Sequence, residues 1–261
     1  MIIGISNLGI FNKPFKFLEK LLEKLNGISA LEVVDDFPHR LNKRRIAYIK
    51  DLSSSYGLRL VVHAPFNNIN ACAVNPSIRR ASIKELSRCF TRASMLESEL
   101  VVVHLGLDSP ISLFKPGFSW KVCIRSAKEL LRLASQHGVQ IAFENLTKGT
   151  GMLKNVEEVA SLVKSVDGVK LSFDIGHANL VGQVRDFLER FLDIMVHAHI
   201  HDNDGKQDLH LPVGEGTIDW SYALPMLKKI KGPLIIEPLD FQGALRSFSN
   251  LSTLLQNFVN H

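Results

Sequence analysis

No stretch of the 261-residue chain approaches the ~20 consecutive apolar residues that a membrane-spanning helix needs, so no membrane span is expected. The opening segment, Met1-Ile2-Ile3-Gly4-Ile5-Ser6, carries no basic region or cleavage site and reads as a strand rather than a secretory signal. Cysteine is scarce. Cys72, Cys89 and Cys123 are odd in number, widely spaced and without a Cys-x-x-Cys pair, which excludes a disulfide framework or a thiolate zinc site. They read as reduced thiols of a cytoplasmic protein. No Gly-rich phosphate fingerprint follows any apolar run, which argues against a doubly wound open sheet. Linkers, low-complexity tracts and breaks in composition are also lacking, so the expectation is one domain spanning residues 1–261.

What is present is ample apolar material, 46% of the chain, together with a formal charge of +5. The positive surplus on the outer surface is larger still if four carboxylates face bound metal, as developed below. It favours an anionic partner such as a phosphorylated sugar or nucleic acid, although solubility alone would explain it as well.

Short apolar runs alternate with longer helical patterns from end to end. The candidate strands are Ile2–Ser6, Ala30–Val34, Leu58–His63, Leu100–His104, Val139–Glu144, Val169–Asp174, Ile194–His199 and Leu234–Glu237. Several are nearly continuous Val, Ile and Leu, as expected of parallel strands buried on both faces. The segments between them have helix punctuation. Asn75-Pro76 offers an N-cap followed by Pro at the first helical position, and Gly138 ends the run from Leu133. Asn155 with Glu158 has the spacing of a capping box, and Asp219 precedes a helix over Trp220–Lys229. Eight strands, each followed by a helix, predict a (β/α)₈ TIM barrel of the α/β class.

Six of these strands end in, or run straight into, side chains that bind metals. They supply His63, His104, Glu144, Asp174 with His177, a His197-Ala198-His199-Ile200-His201 run, and Glu237. The loop after strand seven adds Asp208 and His210. In a barrel the C-terminal strand ends converge on one mouth, so residues far apart in sequence become neighbours. Each has a plain structural explanation taken singly: a hydrogen-bonded core His, a turn Asp, a polar loop residue. Glu144 and Glu237 are harder to explain in that way, because an unpaired buried carboxylate is costly. Imidazoles and carboxylates without thiolate suit zinc first, with manganese, iron or cobalt as other ions, and one to three ions could be held. On strand seven His197, His199 and His201 share parity; His199 is the favoured ligand and His201 the alternative.

As an ordered set, His63 to Glu237, these signatures resemble the xylose isomerase-like barrel superfamily. It joins sugar phosphate isomerases and epimerases with endonuclease IV (AP endonuclease family 2). In the isomerase and epimerase branch, the resemblance implies one divalent ion on Glu144, Asp174, His199 and Glu237. Glu144 and Glu237 would then be the catalytic acid/base pair, working next to a metal-polarised carbonyl. In the endonuclease branch it implies three zinc ions. His63, His104 and Glu144 would hold one, Glu144 would bridge to a second on Asp174, His199 and Glu237, and His177, Asp208 and His210 would hold the third. The Asp208-x-His210-x-x-x-Gly214-Glu215-Gly216 spacing matches that branch closely.

Three departures favour the isomerase branch. The first strand, Gly4-Ile5-Ser6-Asn7, lacks the Gly-x-His-Val-Ser opening usual in endonuclease IV, His104-Leu105-Gly106 replaces His-Pro-Gly, and Phe66 stands where Tyr is common. Strand two, Leu31-Glu32-Val33-Val34-Asp35-Asp36, is nearer to the isomerases, whose Glu often faces the site. The basic run from His39 to Arg45 could contact phosphates but reads first as the start of a solvated helix, with few aromatics to stack on bases. The expected activity is therefore a metal-dependent sugar (phosphate) isomerase or epimerase. An abasic-site endonuclease acting on DNA stands second, and a non-catalytic metal- or sugar-binding barrel third.

Overall fold

The computed structural model describes residues 1–149 and 151–257. Its strands are β1 (Ile2–Ser6), β2 (Ala30–Val34), β3 (Arg59–His63), β4 (Leu100–Val103), β5 (Ile141–Glu144), β6 (Leu171–Asp174), β7 (Met195–Ile200) and β8 (Pro233–Ile236). All pair in parallel in chain order, and β1 pairs with β8 from Ile2 opposite Pro233 to Ile5 opposite Ile236, which closes the barrel. The helices on the outside are α1 (Phe17–Lys24), α2 (Lys43–Tyr56), α3 (Pro76–Leu96), α4 (Phe118–Gln136), α5 (Val156–Ser165), α6 (Ile175–Leu180), α7 (Val184–Phe191), α8 (Trp220–Leu227) and α9 (Phe241–Asn257). This is the (β/α)₈ architecture expected from the alternation of patterns. Among the described residues no helix is long and apolar enough to cross a membrane.

The strands β5 and β6 begin later than the apolar runs suggest. Val139 and Val169 belong instead to turns set by Gly138 and Gly168, whose φ of +69° and +77° favours a residue without Cβ. The helix starts follow the expected caps. Asn155 Oδ1 accepts the Glu158 N–H at 2.9 Å, while the Glu158 carboxylate reaches back to the Lys154 N–H at 3.3 Å rather than to the cap's own. Asn75 and Asp219 cap α3 and α8 through their side chains.

The main core lies between the strands and the helices. A separate small cluster of Val61, Leu100, Val102 and Ala142 fills the barrel interior. Because side chains alternate along a strand, the residues two positions beyond Val61, Val102 and Ala142 point the same way at the mouth. Those residues are His63, His104 and Glu144.

The basic run after β2 splits. Asn42 caps α2, and Lys43 and Arg44 are solvated as expected. His39 and Leu41 are buried instead: His39 Nε2 lies 2.9 Å from the Lys13 carbonyl, inside a cage of Phe11 and Phe15. Arg40 pairs with Glu85 at 2.5 Å, and Arg45 lies over the Phe15 ring.

Candidate metal centre

All nine rim residues singled out from the sequence come together at the C-terminal mouth, in three touching groups. In the first, Glu144 Oε2 faces His63 Nε2 at 3.2 Å and His104 Nε2 at 3.1 Å. In the second, His199 Nδ1 faces Glu144 Oε1 at 3.4 Å, Asp174 Oδ2 at 3.7 Å and Glu237 Oε2 at 3.7 Å. In the third, Asp208 Oδ2 lies 3.2 Å from His177 Nε2 and 3.6 Å from His210 Nε2. His201 does not join the second group. Its Nε2 sits 3.1 Å from Asp174 Oδ1, and its ring stacks 3.9 Å from that of His210, so it belongs with the third.

The ring orientations decide what these groups can do. His63 Nδ1 lies 2.8 Å from the Ala64 carbonyl, His177 Nδ1 2.8 Å from the Asn145 carbonyl, and His210 Nδ1 3.0 Å from the Glu237 carbonyl. A carbonyl only accepts, so it assigns the N–H to Nδ1 in each ring. The other nitrogen, in each case, then aims a lone pair at a carboxylate oxygen. The same logic holds for His199, whose Nε2 lies 3.1 and 3.0 Å from the two oxygens of buried Glu32. Its Nδ1 is buried, has no hydrogen-bond partner among the described residues, and faces three carboxylates. Electron-rich atoms meeting in this way need a cation between them, either a proton or a metal ion.

Two ligands each ~2.1 Å from a shared ion lie about 3.0–3.6 Å apart, depending on coordination geometry. The spacings around His199 Nδ1 and Glu144 fall at this range or just above it. Backbone carbonyls and Glu32 supply the outer contacts that hold metal-binding imidazoles in one tautomer. The buried groups are thus consistent with a divalent metal site.

Without an ion, the carboxylates around His63, His177, His199 and His210 make these four rings hold a second proton more tightly than a free imidazole does. Burial would lower the pKa of His63, but Glu144 outweighs it and lifts the ring to about 9. His177 rises to about 10 against the same burial, chiefly through Asp174, and His210 to about 9 through Asp208 and Glu237. Burial pushes the Glu144 carboxyl up, yet the charges of His104 and His199 hold it well below the usual range. Glu32 is lowered in the same way by His199.

Local structure fixes these positions. Asp174 caps α6, accepting the His177 N–H at 2.7 Å through Oδ1, while Oδ2 turns toward His199. Asn145 locks the ends of β5 and β6 by exchanging two 2.8 Å hydrogen bonds with the Asp174 backbone. At Gly176 a Cβ would lie 2.0 Å from the His201 ring, so only glycine lets α6 pass that side chain. The loop carrying Asp208 and His210 is tied down by buried Asp202. It accepts from the Gly214 and Ile218 backbones at 3.1 and 3.2 Å and from Trp220 Nε1 at 2.7 Å.

A sequence model described as xylose isomerase-like TIM barrel matches residues 20–251. The chain belongs to that family. Among its relatives, Uncharacterized protein MJ1311 of Methanocaldococcus jannaschii is 31% identical, covering 98% of this chain and 90% of that protein. Probable endonuclease 4 of Latilactobacillus sakei is 28% identical over 61% of this chain and 57% of its own length. Among solved structures, a D-tagatose 3-epimerase-like protein superposes with a TM-score of 0.90 at 30% identity, covering 98% of this chain and 97% of that one. A D-psicose 3-epimerase of Clostridium cellulolyticum, solved with D-tagatose, shares the fold at a TM-score of 0.79 and 18% identity, covering 98% and 99% of the two chains.

The inner wall of this xylose isomerase-like barrel also holds residues that the rim pattern does not single out. Glu32 and His197 lie beneath His199, with His197 Nε2 3.3 Å from Glu32 Oε2 and its Nδ1 2.8 Å from Ser172 Oγ. Their signal in the sequence is a carboxylate at the centre of an all-apolar strand, matched by a histidine two positions below the favoured ligand.

Proposed function

We propose that the chain is a divalent-metal-dependent isomerase or epimerase of a small sugar or sugar phosphate, with Glu144, Asp174, His199 and Glu237 holding the essential ion. The observation that carries this reading is the unpartnered, buried His199 Nδ1 facing three carboxylate oxygens. A bound ion would polarise a substrate carbonyl and make the adjacent carbon more acidic. Glu144 ends β5 and Glu237 directly follows β8, three strands apart around the ring, so their carboxylates reach the mouth from different sides. One removes the proton from that carbon and the other returns it, on the opposite face for an epimerisation. His177 and His210, at the outer edge, would hold substrate oxygens. The similarity to solved sugar epimerases supports the substrate class. Zinc is the first candidate ion, followed by manganese, cobalt and iron.

The test is solvent-deuterium exchange at the substrate carbon. The metal-loaded protein is given a panel containing D-tagatose, D-fructose, D-psicose and their phosphates. Exchange is expected with at least one sugar, lost by ~10³-fold or more in Glu144→Gln and in Glu237→Gln, as for removal of an essential acid or base. A fully loaded wild-type protein that exchanges nothing across the panel overturns the reading.

The third group, His177, His201, Asp208 and His210, favours a second reading. With three ions the mouth would suit attack on a phosphodiester at an abasic DNA site, in line with the endonuclease relative. A metal count of three per chain with nicking of an abasic duplex would establish it; a loaded protein that leaves the duplex intact removes it.

A further inference from the structure

Charge is distributed unevenly over this barrel. Helices α3 and α4 together carry nine Lys and Arg against only Glu85 and Glu129, more than the whole net charge of +5. Of the 31 basic and 26 acidic side chains in the chain, those outside this helix pair sum to a slight negative charge.

Helical spacing puts these cations on the outer wall. Arg80, Lys84 and Arg88 recur every fourth residue of α3, and Lys121, Arg125, Lys128 and Arg132 at intervals of four, three and four on α4. All seven are exposed. The two helices pack side by side and are tied by Arg79, 2.8 Å from Glu129 and 3.4 Å from Ser126 Oγ. A rise of 1.5 Å per residue spaces the cations ~5–6 Å apart along each helix, with helix axes ~8–10 Å apart. Two parallel rows result.

Few of the seven are neutralised. Arg88 has Glu85 at 3.2 Å and Arg80 reaches Ser77 Oγ. Lys84, Lys121, Arg125, Lys128 and Arg132 meet no carboxylate among the described residues. No aromatic residue lies between Arg80 and Arg88 or between Lys121 and Arg132. A protein partner would want an apolar or aromatic anchor there, and base recognition would want a stacking platform. Within the rows neither is provided; the exposed large apolar side chains of this helix pair, Ile78, Met95 and Phe118, stand before or after the rows in the chain. Rows of unpaired Lys and Arg along helices are the footprint of contact with phosphates alone.

We propose that the outer wall formed by α3 and α4 binds the phosphate backbone of nucleic acid without reading its sequence, apart from the barrel mouth and without need of its metal. The test is fluorescence anisotropy with a labelled duplex of ~30 base pairs, in metal-free and metal-loaded protein, across ~50–200 mM salt. Binding with a Kd near ~10⁻⁵ M is expected, with a log–log salt slope of about −4 to −6 if five to seven cations touch phosphates. Arg125→Glu/Lys128→Glu/Arg132→Glu should cut the slope by about 3 and weaken binding at least tenfold at low salt. Lys16→Glu/Lys20→Glu/Lys24→Glu, an equal charge change around α1, should leave binding within about twofold. Since every substituted residue is exposed, circular dichroism should show both triple variants folded. The proposal is overturned by absence of binding at low salt, by equal loss in both variants, or by polyglutamate competing as well as DNA at matched charge. The last result would point to an acidic protein instead.

Discussion

Replacing Glu32 by Ala should weaken divalent metal binding by about 10–100-fold, the usual cost of losing the outer partner of a metal-bound imidazole. Glu32 is fully buried, and both of its oxygens lie within 3.1 Å of His199 Nε2. That contact keeps the proton on Nε2 and the lone pair on Nδ1, where the three carboxylates converge. Without Glu32 nothing prevents the imidazole from moving its proton to Nδ1, which would then donate to Glu144 and block the ion. The loss corresponds to ~1.4–2.7 kcal/mol of binding free energy. Glu32→Gln keeps an acceptor but no charge, and its affinity should fall between wild type and Glu32→Ala. Titration of zinc or cobalt against a competing chelator measures the affinity. Imidazole ¹⁵N spectra of the wild type read the tautomer directly, independently of any variant. Wild-type affinity in Glu32→Ala, or a His199 proton found on Nδ1 of the metal-loaded protein, would refute the reasoning. Absence of metal binding by the wild type would instead refute the metal site itself.

Other outcomes follow from the same geometry. Gly176→Ala forces a Cβ to 2.0 Å from the His201 ring. It should cost about 1–3 kcal/mol in a thermal or urea melt and disturb any ion held by His177, Asp208 and His210 before one at Glu144. In the metal-free protein His63, His177 and His210 have pKa values raised to about 9, 10 and 9. A raised histidine contributes stability that is complete below its ordinary pKa near 6.5 and disappears as pH climbs through the folded value. The melting temperature of the metal-free protein should therefore fall between about pH 7 and 10. Metal expels those protons, so its affinity should rise over the same interval, and calorimetry in buffers of different ionisation enthalpy should record proton release. A melting temperature that rises with pH would contradict the assigned ion pairs.

The barrel is legible because parallel strands buried on both faces leave apolar runs that few other structures produce, and because the caps at Asn75, Asn155 and Asp219 mark where helices begin. The rim is legible for a related reason. Glu144 and Glu237 interrupt apolar strands at their ends, where a closed barrel gathers them. Strand parity could not separate His199 from His201, which point the same way; the difference is depth, set by the register of β7 against β6, where Asp174 stands opposite His199. Glu32 is reached from sequence only through the resemblance of strand two to the isomerases, because its partner His199 is 167 residues away, across the inside of the barrel. His39 looked like part of a basic surface run, and only the Lys13 carbonyl and the two phenylalanines around it show that it is interior.

Two carboxylates at the mouth serve more than one master. Asp174 holds the first turn of α6 with one oxygen and faces His199 with the other, and Glu144 divides its oxygens between His199 and the His63–His104 pair. Filling one position would therefore draw on the same side chains that shape its neighbours. Ions entering such a mouth would load in sequence, the earliest arrival altering the affinity left for the next. A binding isotherm with steps, not the sum of independent sites, is the behaviour that shared carboxylates impose.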